Sequence, residues 1–282
     1  MLWNKQGRAQ DAGRQAGLQC PAGYTRPMSA PPAPADRPDS PPAPLVRTVG
    51  DRRTLEFNPD DVQSEMLLSR PNALVLDYTR AMMGFALLQP RPRHIVMVGL
   101  GGGSLAKFCY RHFPGARITV LEVRADVIAL RDAFHLPPDD ARLRVLHVDA
   151  VDYLARHQTQ ADVLLVDGFD SAGLPPALAS RAFYADCRRA LRPGGVMVAN
   201  IFTYDPDYAG ALARLRGVFD GRLAWPRGVA GNNRILFAWR PDSAGAGQTR
   251  FTRLARRDGF GWGWSNRLLV RAVLAWLTAR AV

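Results

Sequence analysis

From Arg93 onward, runs of apolar residues alternate with stretches in which apolar positions recur at helical spacing. The apolar runs are "HIVMVG", "RITVLEV", "LRVLHVD", "DVLLVDGF" and "GVMVANIF", and they predict strands. Between them, "SLAKFCYRHF", "RADVIALRDAF", "AVDYLARH" and "PPALASRAFYADCRRAL" predict helices. Strands that are apolar throughout need cover on both faces, as a parallel sheet flanked by helices provides. The expected fold is therefore α/β, a doubly wound Rossmann-type sheet. A further helix, "DYAGALARLRGVF", leads into "RLAWPRGV" and "NRILFAW", joined through "AGNN", and these predict an antiparallel pair closing the sheet.

Ahead of this region, "LVRTV" and "RTLEF" flank the turn signal "GDRR" and predict a small β-hairpin, with "NPDD" after it. "DYTRAMMGFALLQP" then predicts one helix from Asp77, ended by Pro90 and Pro92. The chain divides into a Pro-rich leader, expected to be disordered, over 1–44, and a β-hairpin domain plus helix over 45–92. The Rossmann-type α/β domain follows over 93–240, then a basic tail with a terminal helix over 241–282.

Composition narrows the function classes. With 47% hydrophobic residues over 282, the chain can bury a full core. It has no uninterrupted apolar run of the length a membrane-spanning helix needs, and its start lacks the apolar stretch of a secretory signal, so a cytoplasmic protein is expected. Cys20, Cys109 and Cys187 are far apart, and the histidines show no metal-binding spacing, so no metal site is expected. The net charge of +12 raises a nucleic-acid partner, but the basic residues are 35 Arg and 2 Lys, a skew that compositional bias produces unaided. Seven of those Arg lie from Arg250 to the end, against one acid, Asp258, which suits a solvated or membrane-brushing tail.

Candidate chemistry gathers at the strand ends. Gly99, Gly101, Gly102 and Gly103 follow the first strand and precede a helix, so the backbone there can turn sharply and admit a ligand closely. Glu122 ends the second strand, 23 residues after Gly99, where an acid can accept hydrogen bonds from both ribose hydroxyls. Asp149 ends the third and could receive the adenine amine. Asp167 and Asp170 follow the fourth, three residues apart, and such a pair repels phosphate and attracts a cation. The pattern thus favours an adenosyl sulfonium over a dinucleotide.

The motifs "VQSEM", "DYTRAMM", "VGLGGGS", "VLEV", "HVDA", "VDGFD", "FYADCRRALRPGGVMVAN" and "WPRG", in this order from Gln63 to Trp239, resemble the spermidine and spermine synthase family, the polyamine aminopropyltransferases. The resemblance implies a small N-terminal β-domain on a methyltransferase-like Rossmann domain. It implies decarboxylated S-adenosylmethionine as co-substrate, no tightly bound cofactor, an amine acceptor, 5′-methylthioadenosine as by-product, and self-association into a homo-oligomer. By the same resemblance Asp167 is the general base and Tyr78 its supporting tyrosine. Gln63, Gly99, Gly101, Gly103, Glu122, Asp149 and the adjacent Ala150 bind the donor, while Asp170 and Trp225 face the acceptor.

The chain also departs from the family. Gly102 stands where the glycine turn carries an acid. Thr79 and Arg80 replace the His and Glu that follow the tyrosine, Ser171 replaces a proline, and Trp225 replaces a tyrosine. The acceptor half is thus poorer in carboxylates than the donor half. Two alternatives follow: a methyltransferase using intact S-adenosylmethionine, whose carboxylate Arg80 would pair with, and a catalytically silent nucleoside-binding homologue.

Overall fold

A computed structural model describes residues 42–58, 61–170, 173–226, 232–242, 271–273 and 275. Among them are ten strands and six α-helices with defined bounds, and residues 271–273 and 275 are helical as well. A three-stranded antiparallel sheet contains β1 (Leu45–Val49), β2 (Arg52–Asn58) and β3 (Asp61–Leu67). A seven-stranded sheet contains β4 (His94–Val98), β5 (Arg117–Glu122), β6 (Leu143–His147), β7 (Ala161–Val166), β8 (Leu191–Phe202), β9 (Leu223–Ala224) and β10 (Asn233–Trp239). Its order is β6-β5-β4-β7-β8-β10-β9; the first five strands are parallel, and β10 runs antiparallel to β8 and β9.

The apolar strands bury both faces, and the pleat divides them. Ile95, Met97, Ile118, Val120, Val163 and Leu165 join one core with Leu55 and Met66 of the small sheet and with α2 (Ser104–His112). Val96, Val98, Leu121, Leu164 and Val166 join the other with α4 (Ala150–Arg156), α5 (Arg181–Ala190) and α6 (Tyr208–Val218). Alternate side chains of a strand point to opposite faces, so the apolar positions of β4 and β7 are all consumed by packing on one face or the other. Cys109 and Cys187 lie one in each core, and burial pushes both thiols up, away from the reactive thiolate.

Three elements differ from their expected form. The hairpin gains a third strand, β3, whose Ser64 and Met66 face inward; Gln63, Ser64 and Glu65 hide the apolar alternation that would have marked it. The helix from Asp77 is α1 (Asp77–Met82) continued by a 3-10 turn, Met83–Leu87. Helix α3 is confined to Ala125–Ala129, and turns follow it. Residues 1–41 of the leader, Cys20 among them, and nearly all of the basic tail lie outside the described residues. Among the described residues, no helix is long and apolar enough to cross a membrane.

At the edge of the large sheet away from the glycine turn, the buried Asp162 accepts hydrogen bonds from the backbone N–H of Arg93 (2.7 Å) and of His94 (2.8 Å) and pairs with Arg192. It thereby ties the entries of β4, β7 and β8 together. Asp162→Ala is expected to lower stability by about 3–5 kcal/mol, because Arg192 and two amides lose their partner. Denaturant unfolding of the two proteins checks it; a loss under about 1 kcal/mol would mean that water replaces the carboxylate.

Candidate functional site

The strand order reverses between β4 and its neighbours, β5 on one side and β7 on the other, and a crevice opens at their carboxyl ends. Gly99, just past β4, has φ +89°, and a Cβ there would lie 2.4 Å from the carbonyl oxygen of Asp167. Only glycine permits this approach, which the bond from Asp167 N–H to the Val98 carbonyl (2.9 Å) draws together. Gly101 (φ +51°) and Gly103 (φ +68°) complete the turn into α2.

The crevice widens into a cavity of about 640 Å³, the size of a small-molecule site. Glu122, Asp149, Asp167 and Asp170 line it, as do Gln63 from β3, Tyr78 and Thr79 from α1, Gly99, Gly101 and Ala150. Arg124 is the cation among these described lining residues, and it is taken up by Asp126 (2.6 Å) and lies over the Phe57 ring (4.5 Å). The cavity is therefore negative and suited to a cation.

Each acid has a different environment. Glu122 is buried; its Oε2 accepts from Leu100 N–H and its Oε1 from Arg124 N–H, both at 2.8 Å, so it braces the glycine turn against β5. Asp149 is exposed and caps α4 through Oδ1, which accepts from Val151 N–H at 2.7 Å. Asp170 begins the short bridge to Gly173. Asp167 lines the cavity just past β7, and burial pushes its carboxyl up to about 6 against the hydrogen bonds from Asn200 and Tyr78. Asn200 Nδ2 donates to Asp167 Oδ1 at 2.9 Å. The Tyr78 hydroxyl also donates to Asp167, and burial first, then the Asp167 charge, hold that phenol well above its ordinary value. A carboxylate near pKa 6 held by two neutral donors can remove a proton near neutral pH.

Most of the expected site residues therefore meet at one cavity. Gly103 lies behind the turn, against Leu136, and Trp225 packs against the core that contains α4 to α6 instead of lining the cavity. Arg80 also turns away: its Nε donates to the Leu74 carbonyl (2.7 Å) and its Nη1 to Asp77 (2.9 Å). It does not line the cavity, which removes the support that the intact-donor alternative drew from it. Gly102 has no room for the family's acid, because a Cβ would lie 2.7 Å from both the Phe134 ring and Ser64 Oγ.

Sequence reasoning missed Asn200, Asn233 and an aromatic row at the cavity wall. Phe169 and Phe202 lie 4.4 Å apart, and Phe202 and Tyr204 stack at 5.0 Å, between ring centroids. A polar residue ending the apolar run "VMVAN", one strand over from Asp167, was the available signal for Asn200. Among the described residues, no group of three or more His, Cys, Asp or Glu side chains could hold a metal ion.

Fold and cavity define an α/β protein with an acid-lined cavity at the carboxyl edge of its sheet. Residues 76–206 match the spermine/spermidine synthase domain. The polyamine aminopropyltransferase of Chromobacterium violaceum is 38% identical over 193 residues, which are 68% of this chain and 74% of the relative. A probable spermidine synthase from Corynebacterium glutamicum superposes with a TM-score of 0.61 at 22% identity, covering 74% of this chain and 82% of its own. Human methyltransferase-like protein 13, in complex with SAH, gives 0.56 at 27% identity, covering 67% and 96%. The chain belongs to the spermidine/spermine synthase family and is an aminopropyltransferase-like transferase.

Proposed function

We propose that the protein transfers the aminopropyl group of decarboxylated S-adenosylmethionine to a small amine. The observation that carries this reading is Asp167, a carboxylate with a raised pKa that lines an acid-rich cavity beside the glycine turn. In the proposed assignment, Glu122 accepts from the ribose hydroxyls and Asp149 from the adenine amine, with Gln63, Gly99, Gly101 and Ala150 forming the rest of the donor wall. Asp170 attracts the acceptor's ammonium, and Gly103 serves the turn. Trp225 is left out of the acceptor site because it packs elsewhere.

A protonated amine has no lone pair with which to attack carbon. Asp167 takes the amine's proton, and Tyr78 and Asn200 steady the carboxylate. The freed lone pair forms the new N–C bond at the aminopropyl carbon. The C–S bond breaks with its electrons going to the sulfonium sulfur, which leaves as the neutral thioether 5′-methylthioadenosine. An Asp is a weak base for an amine, so holding the two substrates in line supplies much of the rate.

Incubation with each donor and with putrescine, cadaverine, spermidine or agmatine tests the reading. The expected result is methylthioadenosine from the decarboxylated donor and no S-adenosylhomocysteine from the intact one. Absence of methylthioadenosine with every acceptor would overturn it. The pH dependence follows from the base. Asp167 must be ionised to act, so kcat/KM is expected to fall as pH drops through about 6, by about tenfold per unit below it. A limb centred near pH 4 would mean that Asp167 is not the titrating group.

A further inference from the structure

We propose that Asn233 is a positioning residue that fixes the amide of Asn200 and, through it, the protonation of Asp167. The proposal rests on the reading of Asp167 as the base. An asparagine amide has a donor end and an acceptor end of nearly equal shape, and an acceptor facing a carboxylate repels it. Asn200 is almost fully buried and cannot rely on bulk water to settle which end faces Asp167. Asn233 settles it. Its Nδ2 donates to Asn200 Oδ1 at 3.0 Å, so the acceptor end of Asn200 is engaged on that side and the NH₂ is left to face Asp167 Oδ1 at 2.9 Å.

The sheet makes this chain of contacts. In the antiparallel pairing of β10 with β8, Asn233 stands opposite Phe202 and Ile235 opposite Asn200. Asn233 and Asn200 are thus diagonal neighbours on one face, within reach of each other. In the parallel pairing, Val166 stands opposite Ala199, which sets Asn200 beside Asp167 one step on. The relay therefore runs across three strands, β10 to β8 to the end of β7. The other groups facing Asp167 are Tyr78 from α1, which also donates to it, Asp170 after β7, and Glu122 and Asp149 beyond the shared cavity. The two donors favour the ionised carboxylate and oppose its burial. Without Asn233, the Asn200 amide can turn over and present oxygen to Asp167.

Two readouts on the full-length protein test this: the acid limb of kcat/KM, and titration of the Asp167 carboxyl by carbon-13 NMR, its resonance assigned with Asp167→Asn. Asn233→Ala is expected to raise the Asp167 midpoint by about half a pH unit, about threefold in proton affinity. Asn200→Ala should raise it at least as far, and the double variant no further than Asn200→Ala alone, because the two residues act in series. Asn233→Gln, which keeps a donor, should return the midpoint part of the way. An unchanged midpoint in Asn233→Ala, or additive effects of the two substitutions, would overturn the proposal. If no amine is turned over at all, the functional reading fails, and the NMR midpoints alone still decide whether Asn233 acts on Asp167.

Discussion

Asp167→Asn is expected to reduce methylthioadenosine release by about 10³-fold, within the range that a positioned general base contributes, while nucleoside binding changes by no more than a few-fold. The amide has the shape of the carboxylate and leaves the backbone contacts to Gly99 and Val98 in place. It cannot accept the acceptor's proton. The same variant is expected to unfold at a higher temperature than the parent at neutral pH. The carboxyl's folded-state pKa, about 6, lies above its unfolded value, so the folded protein holds the proton more tightly. Ionisation therefore costs stability progressively as pH rises from about 4 through about 6, and the cost is fully present above that window. Asparagine carries no charge and avoids it. Turnover assays with thermal unfolding at pH 5 and pH 7.5 check both parts. Turnover within tenfold of the parent would show that Asp167 is not the base, and lost activity with a lower melting temperature at both pH values would point to misfolding.

The second large effect is expected at Gly102, where the family's acid is missing. Gly102→Asp should destabilise the protein by about 3 kcal/mol or more and should not restore an acidic subsite. The backbone at 102 is not left-handed, so space decides the outcome: the new Cβ would meet the Phe134 ring and Ser64 Oγ, each at 2.7 Å. Ser64 can rotate, but Phe134 is buried, and its carbonyl accepts from the Lys107 ammonium at 2.6 Å. Lys107 also reaches Met66 Sδ at 3.0 Å, and burial lowers its pKa to about 8. The Phe134 backbone is thus held, and its buried ring has little space into which to move. In a Phe134→Ala background, the same Gly102→Asp change should cost much less, because the obstructing ring is gone. Denaturant unfolding of the four proteins measures the coupling; an equal cost in both backgrounds would show that the ring is not what excludes the acid.

These two positions differ in how they could be read. Asp167 is legible because an acid that closes an apolar strand stands out from it, and the run "DVLLVDGFD" displays it. The absence of an acid at Gly102 is equally visible, but its cause is not. Phe134 and Ser64 come from a turn after α3 and from β3, 32 residues after and 38 before Gly102 in the numbering, and only folding sets them against it. Asn200 is intermediate: a polar residue closing an apolar strand is a visible irregularity, but its partner depends on which strands are neighbours. Asn233 could not be read at all, since its role follows from the register of β10 on β8.

The sequence by itself determined the α/β class, the succession of parallel strands, the glycine turn and the acids that end β5, β6 and β7, because period and strand ends are local properties of a chain. It also pointed to an adenosyl cation, since the sign of charge at those ends does not depend on exact geometry. The tertiary structure alone decided which side chains share the cavity. It placed β3 and α1 over the turn, turned Arg80 and Trp225 away, closed the space at Gly102 and joined Asn233 through Asn200 to Asp167. Contacts between residues distant in sequence are fixed by strand order and register, and no local pattern carries that information.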